Sequence, residues 1–223
     1  MKMAWRTEVF SWSVIAAMFA AAAWAWGRVP EQIPVHWNAA GEVDGYGGRF
    51  MGLLLIPLVT LGMHLLFMVL PAIDPCRTSY DGFARVYAIF RGAILAFMGA
   101  VYAATTLVAL GHRVDVARVT TVGLGLLFVV LGWYLREVRP NWFVGVRTPW
   151  TLSSQLSWTK THQLAGRLFV ASGAVTLLCG LVRPAWGVFV MLGTILPSAL
   201  AMTAYSYMVW RDDPERTPQS DGE

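Results

Sequence analysis

Apolar residues fall in six long runs, 9–27, 50–73, 92–111, 119–135, 164–182 and 184–210, and the polar residues gather in the segments between them. About 20 apolar residues at a rise of about 1.5 Å each cross a hydrocarbon core of about 30 Å. Each run therefore reads as a membrane-spanning helix. The fourth is short, at 17 residues, and the fifth carries Arg167 near its start. Both lean on flanking side chains that reach the interface. The pattern predicts an all-α integral membrane protein, a bundle of six transmembrane helices.

Two connecting segments are long enough to carry structure of their own, 28–49 and 136–163. They divide the chain into a three-span half over 1–110, a second three-span half over 111–210, and a polar tail over 211–223 that is too short and hydrophilic to fold alone. One motif-bearing loop in each half would suit an inverted repeat of the transporter kind, yet the two loops share no visible sequence. Gly92 and Gly99 in the third span, and Gly123, Gly125 and Gly132 in the fourth, predict close helix contacts, because lipid leaves backbone approach as the main packing device. Pro57 and Pro197 lie inside the second and sixth spans and predict kinks. Tryptophans such as Trp5, Trp12, Trp24, Trp26, Trp133, Trp142, Trp150, Trp186 and Trp210 cluster near span ends, as interfacial belts do.

Charge then sets orientation. With the N-terminus inside, Lys2, Arg6, Arg77, Arg85, Arg91, Arg136, Arg139, Arg147, Lys160, Arg167, Arg211 and Arg216 lie inside or at the inner interface, 12 of the 17 basic residues. Arg28, Arg49, Arg113, Arg118 and Arg183, five in all, lie outside. The asymmetry predicts cytoplasmic N- and C-termini, an outer loop at 28–49 and an inner loop at 136–163. It also explains a net charge of +4 through topology and anionic-lipid contact, without direct nucleic-acid binding. Lys2, Arg6, the first run and Ala23-Trp24-Ala25 have the outline of a cleavable signal. The run is too long for a signal core, and Trp24 and Trp26 crowd the cleavage site. Cys76 and Cys179 are the only cysteines and give no disulfide framework.

The outer loop is dense in turn chemistry. Pro30 and Pro34 hold their neighbours extended, Val35, His36 and Trp37 form a short extended piece, and Asn38 to Gly41 with Asp44-Gly45 supply turns. His36, Glu42 and Asp44 offer a nitrogen and two carboxylates. Their spacing matches no standard metal motif, so they read first as hydrogen-bonding loop residues. In the inner loop, Thr151 or Ser153 is placed to cap a helix running into the fifth span. On that helix Ser154, Trp158, His162 and Gly166 form one stripe at i+4 spacing, with Arg147 upstream on a Gly-Val-Arg-Thr-Pro turn. The stripe reads as an interfacial anchor or as a docking surface for a cytoplasmic protein. His64 is the ionisable residue deep in a span, a functional suspect by position. No Ser/His/Asp set, Walker loop or dinucleotide fingerprint is present, and no cofactor is expected.

At these two loops the chain resembles the SdpI family of bacterial membrane immunity proteins, with that family's N-terminal domain of unknown function. The first signature is carried by Pro30, Ile33, Pro34, His36, Trp37, Asn38, Gly41 and Asp44. The second is carried by Asn141, Gly145, Arg147, Thr148, Pro149, Ser154, Trp158 and His162. The resemblance implies a multi-pass protein of the bacterial cell membrane that protects against a secreted toxic peptide outside. It also implies a small winged-helix repressor held at the membrane inside. From the residues alone two other classes stay open. One is a small transporter or channel, motivated by Pro57, Pro197 and His64; the other is a metal-dependent membrane enzyme using His36 and Asp44.

Overall fold

The computed structural model describes residues 5–216, with side chains from Glu8 onward. Lys2 and the tail segment 217–223 lie outside the described residues, as do the side chains of Trp5 and Arg6. Six helices are long and apolar enough to cross a membrane. They are α1 (Trp5–Ala25), α2 (Arg49–Ile73), α3 (Ala84–Ala109), α4 (Val116–Leu135), α6 (Gln155–Val182) and α7 (Gly187–Arg211), with a four-residue helix α5 (Pro149–Leu152) before α6. The all-α membrane bundle expected from the apolar runs is what forms. Its outward surface is apolar, with Leu55, Leu66, Leu178, Val182, Phe189 and Leu200 among the exposed side chains. In water that surface would be a liability; in a bilayer it is solvated by acyl chains.

Hydropathy misplaced two helix starts. The third and fifth spans begin at Ala84 and Gln155 rather than at 92 and 164, because their first turns are covered by other protein segments instead of lipid. Tyr87, Phe90 and Trp158 are buried there in one cluster with Tyr80, Phe83, Leu135 and Val138. The caps also differ from expectation. Thr148 caps α5 through a capping box with Thr151, while the Ser154 hydroxyl accepts from Ser157 N–H and caps α6. Two successive caps let the chain turn before it enters the bundle. Helix α2 runs on through Pro57 and Pro71, and α7 through Pro197.

The most intimate packing is α4 against α6, where glycines recur every seventh residue on both helices. A Cβ on Gly125 would lie 2.5 Å from Leu177 N and 2.8 Å from Gly173 O. One on Gly132 would lie 2.7 Å from Val170 N and 2.8 Å from Gly166 O, and one on Gly180 2.9 Å from Val122 N. The two backbones therefore touch along more than two turns, and removing side chains is what allows dispersion contacts to form there. Of the other glycines expected to pack, Gly123 faces Phe97 and Gly99 faces Val14, where a Cβ would lie 2.9 and 3.1 Å from those side chains, and Gly92 faces Phe10 at a looser 3.8 Å.

Between α1 and α2 the chain builds a two-stranded antiparallel hairpin, β1 (Gln32–Trp37) and β2 (Val43–Gly48). The short extended piece expected at Val35–Trp37 is its first strand. Ile33 is 1% exposed and inserts beside Gly52, where a Cβ would come within 2.2 Å of the Ile33 Cδ1. It joins Val29, Leu53 and Tyr102 in a second buried cluster that seats the hairpin on α2 and α3. An isolated two-stranded hairpin is marginal; this one is fixed by its anchor.

Candidate functional site

Three groups of polar residues stand out: the exposed hairpin, a buried set of turns at the opposite end of the bundle, and a charged cluster inside it.

On the hairpin, register irregularities between Pro34 and His36 and between His36 and Trp37 mark bulges, which re-aim side chains. His36 Nδ1 lies 2.5 Å from Asp44 Oδ1, and both side chains are largely exposed. Gly45 sits opposite His36, where a Cβ would approach the His36 Cβ at 2.8 Å. Glycine there is what lets the imidazole lie across the second strand. Asn38 organises the tip: its Oδ1 accepts from Ala40 N–H at 2.9 Å and Glu42 N–H at 3.0 Å, and its Nδ2 donates to Glu42 Oε2 at 3.3 Å. Gly41 follows with φ +84°, and the tip reaches Ala117 at the start of α4. Arg49 donates to the carbonyls of Val29 and Pro30, closing the base. Pro30 and Pro34 thus belong to the frame, while His36, Asp44 and the 64%-exposed Tyr46 present the free face. Glu42 is engaged by Asn38. Among the described residues no group of three His, Cys, Asp or Glu is gathered closely enough to hold a metal ion.

The second signature is mostly interior. Asn141 is fully buried and satisfied on both sides: Nδ2 donates to the carbonyls of Arg139 and Val144, and Oδ1 accepts from the N–H groups of Phe143 and Val144. Trp158 donates from Nε1 to Val138 O at 2.9 Å and stacks on His162 with ring centroids 4.1 Å apart. His162 in turn contacts Trp158 O through Nδ1 at 2.8 Å, while its Nε2 accepts from Val146 N–H at 3.1 Å. Those partners fix the neutral Nδ1–H tautomer. Gly145 adopts φ +108° with no room for a Cβ, which would stand 2.2 Å from His162 Nε2. The stripe from Ser154 to Gly166 is thus neither an interfacial anchor nor a surface: it is the packing core of this end, and Gly166 belongs to the glycine seam. The exposed side chains of this end include Trp142, Arg147, Pro149, Leu152, Leu156 and Lys160, with Arg147 donating to Trp142 O at 2.8 Å.

Two residues that sequence reasoning passed over tie this end together. Asp74, 2% exposed just past α2, accepts from Cys76 N–H, from the Tyr80 hydroxyl at 2.9 Å and from Trp142 N–H at 3.0 Å. It joins the α2–α3 connection to the second loop. Burial, and then the hydrogen bond to Asp74, push the Tyr80 phenol far above its ordinary range, so it remains a donor. Asp213 lies in what reads as a disordered tail, yet it is buried and accepts from the Ser154 hydroxyl and from Glu215 N–H. Thr148 and Ser157 also reach Ser206 on α7. A sequence signal existed in the Asp-Asp-Pro following the last span, but nothing local said what it would cap.

The Asp213 clamp is pH-dependent in a definite direction. The Ser154 hydrogen bond, then that from Glu215, holds its carboxyl below the usual carboxylate range. A depressed folded value gives stabilisation that is present above the unfolded pKa and lost as pH falls through the folded one. Hydrogen exchange at residues 211–216 is expected to accelerate on acidification below the ordinary carboxylate range. In Asp213→Asn that pH step should vanish; an unchanged step in the variant would assign it elsewhere.

The third group is within the bundle. Arg91 on α3, 1% exposed, reaches Glu8 on α1 with Nη2 at 2.8 and 3.0 Å from the two carboxylate oxygens. His64 on α2 is fully buried, its Nε2 3.8 Å from Glu8 Oε2, and neither ring nitrogen has a hydrogen-bond partner among the described residues. Trp12 packs edge-on against the imidazole at 4.7 Å. His64 was legible as an intramembrane ionisable residue. Its partners were not, because Glu8 precedes the first apolar run and Arg91 reads as an interfacial charge.

An apolar six-span bundle with an anchored hairpin at one end and interlocked turns at the other defines a multi-pass membrane protein of a particular design. Residues 137–206 match the SdpI/YfhL protein family, and residues 14–61 match a domain of unknown function, DUF1648. The chain is 20% identical over 206 residues to the immunity protein SdpI of Bacillus subtilis (strain 168), covering 92% of this chain and 97% of that protein. No solved structure matches. The resemblance to the SdpI family read from the two loops is thus borne out, and the chain is a multi-pass protein of the bacterial cell membrane. The two matched segments hold the hairpin and the buried turns, whereas Glu8, Asp74, Arg91 and Asp213 lie outside both.

Proposed function

We propose that this protein confers immunity to a secreted toxic peptide and that the hairpin is the surface that meets it. The observation that carries this reading is the contrast between the two signatures. Asn141, Ser154, Trp158 and His162 of the second are consumed by packing, whereas His36 and Asp44 of the first, with Tyr46 beside them, are presented on a braced strand pair with a free face. The similarity to an immunity protein over nearly its whole length supports the same assignment. Both termini are cytoplasmic in this reading, which leaves the hairpin outside, where such a peptide arrives. A reporter fused after Glu223 that is active only in the cytoplasm tests the orientation, and activity on the far side reverses it.

His36→Ala and Asp44→Ala are expected to lower survival under toxic-peptide challenge while membrane abundance stays near that of the parent. A fall in abundance to match the fall in survival would make the pair structural. A repressor held on the cytoplasmic face would use the exposed residues there. Arg147→Ala is the substitution to examine, because it removes a surface guanidinium, whereas any change at Trp158 strikes the core.

A small transporter is the second reading, favoured by His64, whose ring nitrogens have no hydrogen-bond partner among the described residues, beside Glu8 and Arg91. Polar groups buried in a span are expensive and mark transport paths in many membrane proteins. Proton-coupled flux in proteoliposomes that Glu8→Gln abolishes would raise it above the first.

A further inference from the structure

The tight seam between α4 and α6 has a by-product on the bundle's outer surface. Where Gly132 and Gly166 bring the backbones together, a furrow of about 610 Å³ opens beside them, lined at its mouth by Arg136, Gln163 and Arg167 and continued by Val170, Ala171 and Ala174. Arg167 stands 12 residues into α6 (167 − 155), about 18 Å along the axis at 1.5 Å per residue. It is exposed there, on a helix that spans the membrane. Among the described residues neither Arg136 nor Arg167 makes an ion pair with a carboxylate. Arg136 lies over the face of Trp133, 5.8 Å away. Two guanidiniums beside one furrow, neither paired with a carboxylate among the described residues and one of them well inside a spanning helix, need a counter-charge from the surroundings.

We propose that this furrow is a binding site for an anionic phospholipid. Arg136 and Arg167 hold the phosphate, Gln163 offers a further hydrogen bond to the headgroup, and one acyl chain lies along Val170, Ala171 and Ala174. Guanidinium forks suit a phosphodiester better than a point charge does. The apolar continuation of the furrow, within the span, favours a lipid over free phosphate. Basic pockets between helices on the cytoplasmic side are the general setting for such headgroups. The site is independent of the immunity reading, since it faces lipid and shares no residue with the hairpin.

The test uses the full-length protein, purified in mild detergent, with phosphatidylglycerol or phosphatidylcholine added and bound lipid counted by native mass spectrometry. Phosphatidylglycerol should be retained about thirtyfold more strongly, the scale of two basic side chains at a surface. Arg136→Gln with Arg167→Gln should bring retention down to that of phosphatidylcholine, while Arg113→Gln with Arg183→Gln, at the other end of the spans, should leave it unchanged. Ala171→Leu fills the furrow and keeps both arginines; it should weaken lipid retention alone. Equal retention of the two lipids, retention indifferent to the paired Arg136 and Arg167 change, or full displacement by inorganic phosphate would each overturn the proposal.

Discussion

Gly173→Leu is expected to leave little folded protein in the membrane. A Cβ at this position already meets Gly125 O at 2.7 Å and Val129 N at 2.7 Å. Overfilling a packed core costs about 1–3 kcal/mol when neighbouring side chains can rotate away. Here the neighbours are backbone atoms of a helix hydrogen-bonded to itself, so relief requires α4 and α6 to separate along their length. The cost should exceed that range. Gly193→Leu is the matched control, because nothing lies within 4 Å of its Cβ position. Fluorescence-detected size-exclusion of both variants decides the matter: equal, monodisperse recovery of Gly173→Leu would show that the seam is compliant.

Arg91→Ala should be nearly as damaging, for an electrostatic reason. It strips the partner from Glu8, whose carboxylate is then left in the bundle beside His64. Breaking a buried pair from one side costs about 3–5 kcal/mol, whereas replacing both partners with apolar groups of similar size is often near neutral. Arg91→Met combined with Glu8→Leu is therefore expected to recover much of the thermal stability that Arg91→Ala loses. The comparison is a midpoint of heat-induced aggregation in detergent. If the double variant falls as far as the single, the cluster is valued for more than its charge balance, and the transporter reading gains.

The bundle was legible because lipid enforces a simple rule on sequence: about 20 apolar residues make a span. The rule fails where protein replaces lipid. Tyr87 and Trp158 lie in helical turns that polar neighbours such as Arg85, Arg91, Lys160 and Gln163 disguise as loop, so two helices begin earlier than hydropathy places them. Turn chemistry in the hairpin was readable from Pro30, Pro34, Asn38 and Gly41, since those residue types prescribe backbone angles locally. The pairing of Asp74 with Trp142 and of Ser154 with Asp213 joins positions 68 and 59 residues apart. Nothing in either local sequence encodes such a partner. Trp158 and His162 gave the right spacing and the wrong setting: i+4 stripes show which residues share a face, not whether that face meets lipid, water or another loop.

Because glycines weld α4 to α6, neither helix can roll about its own axis without forcing backbone against backbone. A message that reached the opposite face through this pair would therefore travel as a movement of both helices together, a rocking beam rather than a turning rod. The hairpin tip touches that beam at one end, through Gly41 against Ala117, and the buried turns around Trp158 and His162 load it at the other. A crosslink that locks α3 to α4 would stall such a beam, while one between α4 and α6 would leave it free to tilt.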